Sequence, residues 1–113
     1  MYKVEAIIRS HKLEEVQEAL EAIDFHGITV TDVRGMGKQK GVTHTYRGSQ
    51  YTLSLSPRLK VEVWVLDKDL EEVVAAIEVS ARTGEIGDGK ILVTPLAQVV
   101  RIRTGERGEI ALS

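Results

Sequence analysis

Over residues 2–9 apolar and polar residues alternate, with Val4, Ala6 and Ile8 pointing one way and Lys3, Glu5, Ile7 and Arg9 the other; this predicts a half-buried strand. The period then lengthens. Leu13, Val16, Leu20 and Ile23 recur at helical spacing, with Glu14, Glu15, Glu18 and Glu21 outside and Ser10 placed to cap the helix. The pattern breaks at residues 24–27 and resumes as a β-rich run, ITVTDVR, over 28–34. After a long interruption the order returns almost literally. Lys60-Val61-Glu62 repeats Lys3-Val4-Glu5, and Leu70-Glu71-Glu72-Val73 repeats Leu13-Glu14-Glu15-Val16. Val61, Val63 and Val65 take the inward strand positions, Asp67 is the expected cap, and Leu70, Val73, Val74 and Ile77 form the second apolar stripe. A further strand is expected at Ile91-Leu92-Val93 and a tail strand over 98–104.

A duplicated strand, helix, strand unit predicts an α+β, ferredoxin-like βαββαβ fold, an antiparallel sheet with both helices on one face. The other face carries Lys3, Lys60, Glu5 and Glu62, as a wet face should, but also Ile7 and Trp64. These call for a cover: another subunit, a flat ligand, or the chain's own tail or a loop. Between the second and third strands the stretch over 35–57, GMGKQKGVTHTYRGSQYTLSLSP, is too long for an ordinary connection. Its Lys38, Lys40, Arg47, Tyr46 and Tyr51 suit a contact loop held out by a rigid body.

With 113 residues, 42% hydrophobic and 28% charged, the chain is expected to form one domain over 1–113 with an aliphatic core, since aromatics are 4%. No run is long enough for a membrane span, and MYKVEAIIRS lacks a signal-peptide pattern, so a cytoplasmic location is expected. The absence of cysteine removes thiolate chemistry. A net charge of -2 argues against a general nucleic-acid-binding surface but leaves room for a local basic pocket.

Three pieces suit phosphate. In Gly87-Asp88-Gly89-Lys90 the glycines admit an anion to backbone N–H groups and the lysine adds charge. Arg101 and Arg103 share a face if their segment is a strand, and Gly35-Met36-Gly37-Lys38 stands at the foot of the long loop. Residues 84–90 fit the opening of a P-loop, but Ile91 replaces the metal-binding hydroxyl and the segment runs from helix to strand, the wrong order. Catalytic groupings are poor: His11, His26 and His44 are scattered, and the paired glutamates fall on solvent-facing helix positions. A small nucleotide hydrolase and an RNA-binding module of the same element order are therefore the weaker functional classes.

Along its whole length the chain resembles the PII signal-transduction family, in IIRSHKLEEVQEAL, GMGKQKG, TYRGSQY, ARTGEIGDGKI and VVRIRTGERGE. The resemblance implies a non-enzymatic homotrimer that binds ATP or ADP between subunits. It assigns the phosphate turn to Gly87, Asp88, Gly89 and Lys90, the base and ribose pocket to Thr29, Glu62 and Trp64, and closure of that pocket to Gly35, Met36, Gly37 and Lys38. Arg101 and Arg103 would reach the nucleotide from a neighbouring subunit. Gln39 would hold Mg2+ and 2-oxoglutarate beside the ATP phosphates, together with Lys40, Gly41 and Arg58, the last standing where lysine is usual. Tyr51 matches a uridylylated tyrosine and Ser49 a phosphorylated serine. The loop, about 37–57, would enter regulated partners such as ammonium transporters, signalling kinases or enzymes of nitrogen and carbon assimilation, meeting a membrane only through a transporter. The alternative is an adenine-nucleotide sensor retuned to another effector.

Overall fold

The computed structural model describes residues 1–36, 43–46, 49–52 and 55–113, with positions 36, 43–46 and 49–52 described by their backbone only. The N-terminal alternation becomes strand β1 (Tyr2–Arg9), followed by helix α1 (Leu13–Glu21) and strand β2 (Thr29–Met36). Two short strands, β3 (Thr43–Tyr46) and β4 (Ser49–Thr52), pair with each other inside the long interruption. The second copy supplies β5 (Leu55–Val65), α2 (Leu70–Ala81) and β6 (Lys90–Pro95). The main sheet is antiparallel in each paired contact and has the order β2-β5-β1-β6, the expected ferredoxin-like arrangement.

The repeat has a geometric outcome. β1 and β5 pair so that Glu5 stands opposite its own counterpart Glu62, with Val4 opposite Val63 and Ala6 opposite Val61. An approximate two-fold axis thus passes through the middle of the sheet. Like charges directly opposite are unfavourable. Here Lys3 pairs with Glu5 at 2.8 Å, and the Trp64 indole Nε1 donates to Glu62 Oε2 at 3.0 Å. The Lys3 hydrogen bond also holds the Glu5 carboxyl below its usual range.

Both helices cover one face. Val4, Ala6 and Ile8 of β1 and Val61, Val63 and Val65 of β5 are buried against Val16 and Leu20 of α1 and Val73, Ile77 and Ala81 of α2. Of the stripes read from the periodicity, Val16, Leu20, Val73 and Ile77 are core, while Leu13, Ile23, Leu70 and Val74 pack against it partly buried; the core's all-aliphatic character follows from the composition. Glu14, Glu15, Glu71 and Glu72 are exposed, as amphipathic helices require.

Local details depart from the sequence expectations. Ser10 and Asp67 cap neither helix: each begins a one-turn 3-10 segment (Ser10–Lys12, Asp67–Asp69) that makes no side-chain cap bond. The Asp67 carboxylate is instead paired with the N-terminal ammonium. The loop is also shorter at its exit than 37–57. Leu55, Ser56 and Pro57 belong to β5 and pair with Met36, Gly35 and Arg34, so the sheet extends into the loop's foot as a two-stranded arm. Nor is the tail a strand over 98–104. Only Val100 forms a bridge, to Arg107, and Gly105 N donates to Arg101 O at 2.7 Å, closing a turn; a 3-10 segment (Gly108–Leu112) follows.

Candidate functional site

The connection from α2 to β6 has glycines at the positions where its backbone turns left-handed, with φ of 89° at Gly84, 103° at Gly87 and 97° at Gly89. Gly89 is doubly constrained. A Cβ there would stand 1.7 Å from the Ile7 carbonyl oxygen, so only glycine lets the turn lie this close to β1. Asp88 organises the inside of the turn. Its carboxylate accepts from the Thr83 and Gly84 backbone N–H groups, each at 2.8 Å, from the Thr83 hydroxyl, and from Arg9 Nε at 3.0 Å. The Thr83 hydroxyl and Arg9, with those backbone donors, hold its carboxyl well below the usual range. Expected as part of a phosphate turn, Asp88 therefore shapes that turn from within.

Two arginines of the sheet clamp the same connection. Arg9 Nη2 donates to Ile86 O at 2.9 Å and Arg58 Nε to Gly87 O at 3.2 Å, while Arg58 Nη1 reaches Pro57 O at 2.9 Å. Arg9 and Arg58 are direct cross-strand partners. Their adjacency is tolerable because the turn supplies each with oxygen acceptors. Arg9 was not singled out by the sequence, where it reads as one more outward position of β1; its contact joins segments far apart in the chain. Lys90 follows as the exposed first residue of β6, opposite Ile7.

A cleft of about 320 Å³ lies at the other end of the sheet, lined by Gly27 and Thr29 of the β2 approach, Glu62 and Trp64 of β5, and Ala111 and Leu112 of the tail. The structure thus places Thr29, Glu62 and Trp64 in the lining of one cleft. Trp64 remains 50% exposed. Of the covers expected for the open face, the tail is the one seen, and it is partial.

Turn and cleft are well separated. Arg58 touches the turn, and at about 3.3 Å per residue Glu62 and Trp64 lie roughly 13 and 20 Å farther along β5. A second cavity, of about 340 Å³, opens beneath the turn between α2 and the β1–β6 edge, where Ile77, Ala81, Gly89 and Lys90 meet.

Arg101 and Arg103 do not share a strand face, because their segment is a turn. Arg101 is turned toward its own tail: it donates to Glu106 Oε1 at 2.5 Å and to the main-chain oxygens of Ile110 and Ser113 at 2.9 and 2.5 Å. Arg103 is exposed, and the neighbouring Ile102 is 99% exposed. Gly35 and Met36 lie in the ladder at the loop's foot. Gly37, Lys38, Gln39, Lys40 and Gly41 lie outside the described residues. Ser49 and Tyr51 stand in β4, opposite Tyr46 and His44. Among the described residues no group of three or more His, Cys, Asp or Glu side chains is arranged to hold a metal, and no helix is long and apolar enough to cross a membrane.

Comparison with known proteins agrees with this architecture. The family model described as Nitrogen regulatory protein P-II matches residues 1–106. The chain is 54% identical over 112 residues to Nitrogen regulatory protein P-II 2 of Methanothermobacter thermautotrophicus, covering 99% of this chain and 97% of that one. It is 55% identical over 112 residues to Nitrogen regulatory protein P-II of Microchaete diplosiphon, covering 99% and 100%. Among solved structures, Arabidopsis thaliana PII bound to citrate superposes with a TM-score of 0.79 at 44% identity, over 97% of this chain and 90% of that one. These relatives are named as regulatory proteins. The chain belongs to the nitrogen regulatory protein P-II family.

Proposed function

We propose that this protein is a non-enzymatic, cytoplasmic sensor in nitrogen regulation: it binds ATP or ADP between the subunits of a homotrimer and signals through the loop that follows β2. The observation that carries the reading is the separation of turn and cleft. A charged turn stands at one end of β5 and a cleft beside Trp64 at the other, roughly 13–20 Å apart, and a site shared between two copies lets one ligand use both without lying stretched along the strand. Adenine suits the cleft, where an indole face can stack and Glu62 offers a hydrogen-bond acceptor. Polyphosphate suits the turn, whose arginine-clamped backbone is preorganised beside Lys90. In this scheme ATP with Mg2+ and 2-oxoglutarate favours one loop conformation and ADP another, in proportion to the differential affinity of each ligand for the two.

A second reading, a nucleotide sensor retuned to another effector, draws support from Arg58. Its guanidinium is engaged by the Gly87 and Pro57 carbonyls, whereas the 2-oxoglutarate scheme asks it to meet a carboxylate. Calorimetric titration of ATP and ADP, each with Mg2+ and with or without 2-oxoglutarate, on protein of verified trimeric mass separates the two. Binding of 2-oxoglutarate only in the presence of ATP supports the first reading. Nucleotide binding without any 2-oxoglutarate response supports the second. Lys90→Ala is expected to weaken ATP binding by about tenfold to a hundredfold, the range for losing a hydrogen bond to a charged group. Unchanged affinity would refute this placement of the phosphates.

A further inference from the structure

Arg101 and the tail pose a conflict that the proposed function does not resolve. The Arg101 guanidinium is the planar fork best suited to a phosphate, yet its Nη2 donors go to the main-chain oxygens of Ile110 and Ser113, and Nη1 to Glu106. The same short segment places Ala111 and Leu112 against the cleft that holds Thr29, Glu62 and Trp64. One piece of chain therefore does two things that a bound nucleotide would do: it presents oxygens to the arginine and apolar surface to the cleft.

Its anchorage is correspondingly light. Beside the segment's bonds to Arg101, Gly108 N donates to Val99 O at 2.9 Å, whereas the Ser113 N bond to Ile110 O at 3.4 Å is internal to the segment, and none of residues 101–113 is fully buried.

We infer that residues 108–113 are an internal competitor for the nucleotide site: the docked tail holds Arg101 and narrows the cleft, and ligand binding requires its release. This rests on the reading of the cleft as a nucleotide site. Population arithmetic sets the size of the effect. A tail docked nine-tenths of the time weakens apparent affinity by about tenfold, and releasing it restores that factor.

Trp64 is the single tryptophan and lines the cleft with the tail, so its emission reports docking without any ligand. The test uses full-length protein with Leu112→Asn, and in parallel Ala111→Gly combined with Leu112→Asn, which loosen the tail without adding charge. Expected results are greater quenching of Trp64 by acrylamide in the absence of nucleotide, together with ATP binding tightened about fivefold or more. Exposed Trp64 with unchanged ATP affinity would overturn the competitor role while leaving the nucleotide reading intact. Weaker ATP binding would also overturn it, by making the tail a wall of the site. Unchanged quenching in both variants would show that the tail does not dock as described and would overturn the inference. Absence of ATP binding in the parent and both variants would overturn the nucleotide reading, and this inference with it.

Discussion

Gly89→Ala tests whether the turn is held against β1 as tightly as its geometry requires. Two costs combine there. An alanine at φ of 97° bears a left-handed penalty of about 1–2 kcal/mol. Its Cβ, 1.7 Å from the Ile7 carbonyl oxygen and 2.7 Å from the Ile7 carbonyl carbon, meets backbone that no rotamer change can clear. The β1–β6 ladder must open where Ile7 faces Lys90, forfeiting one or two hydrogen bonds at about 1 kcal/mol each, plus local strain. The total is about 3–5 kcal/mol, a large share of a typical domain's 5–15 kcal/mol. Gly84→Ala is the internal control, since φ is 89° but nothing lies within 4 Å of the added carbon; only the conformational penalty of about 1–2 kcal/mol applies. Gly27→Ala, with neither constraint, is expected within about 0.5 kcal/mol of the parent. Urea unfolding followed by circular dichroism reads all three. With a slope of about 1.5 kcal/mol/M, the midpoint falls by roughly 2–3 M for Gly89→Ala and about 1 M for Gly84→Ala. Equal shifts for Gly84→Ala and Gly89→Ala would refute the close approach to Ile7.

Asp88 gives a pH prediction. Its folded-state pKa is depressed, so its support of the turn is complete above the ordinary aspartate value of about 3.9 and is lost only as pH falls through the lower folded value. The Gly84 amide resonance should show no inflection near pH 4 and should move only in stronger acid; an inflection near 4 would contradict the donor set described. Asp88→Asn should abolish that resistance and speed hydrogen exchange at Thr83 and Gly84, whose amides lose an anionic acceptor. Leu20→Ala, at a fully buried core position, should lower stability by about 2–5 kcal/mol in the same unfolding assay, and a loss below 1 kcal/mol would contradict its place in the core.

The sequence alone determined the layer architecture. Period-two and period-3.6 patterns report which side of an element meets the core, and a literal repeat of Lys-Val-Glu and Leu-Glu-Glu-Val implies that two like units share one sheet. Val4, Val16, Val61 and Val73 were legible for that reason, as was the glycine-rich turn. The family was legible from whole motifs. Only the tertiary structure decided which groups meet across the chain. The partners of Arg9 and Arg58 are carbonyls of residues 86 and 87, and no periodicity encodes a contact between segments joined through a helix. The alternation that made 98–104 look like a strand, with Arg101 and Arg103 on one face, lost to the turn closed by Gly105 N on Arg101 O and to the acceptors that Glu106 and the tail offer Arg101. Ser10 and Asp67 had the right chemistry for caps, but a cap depends on where the first helical turn starts, and each opens a 3-10 turn instead. Pattern fixes which face of an element is buried; the partners of a charged side chain are chosen by whichever backbone oxygens the completed fold brings within its reach.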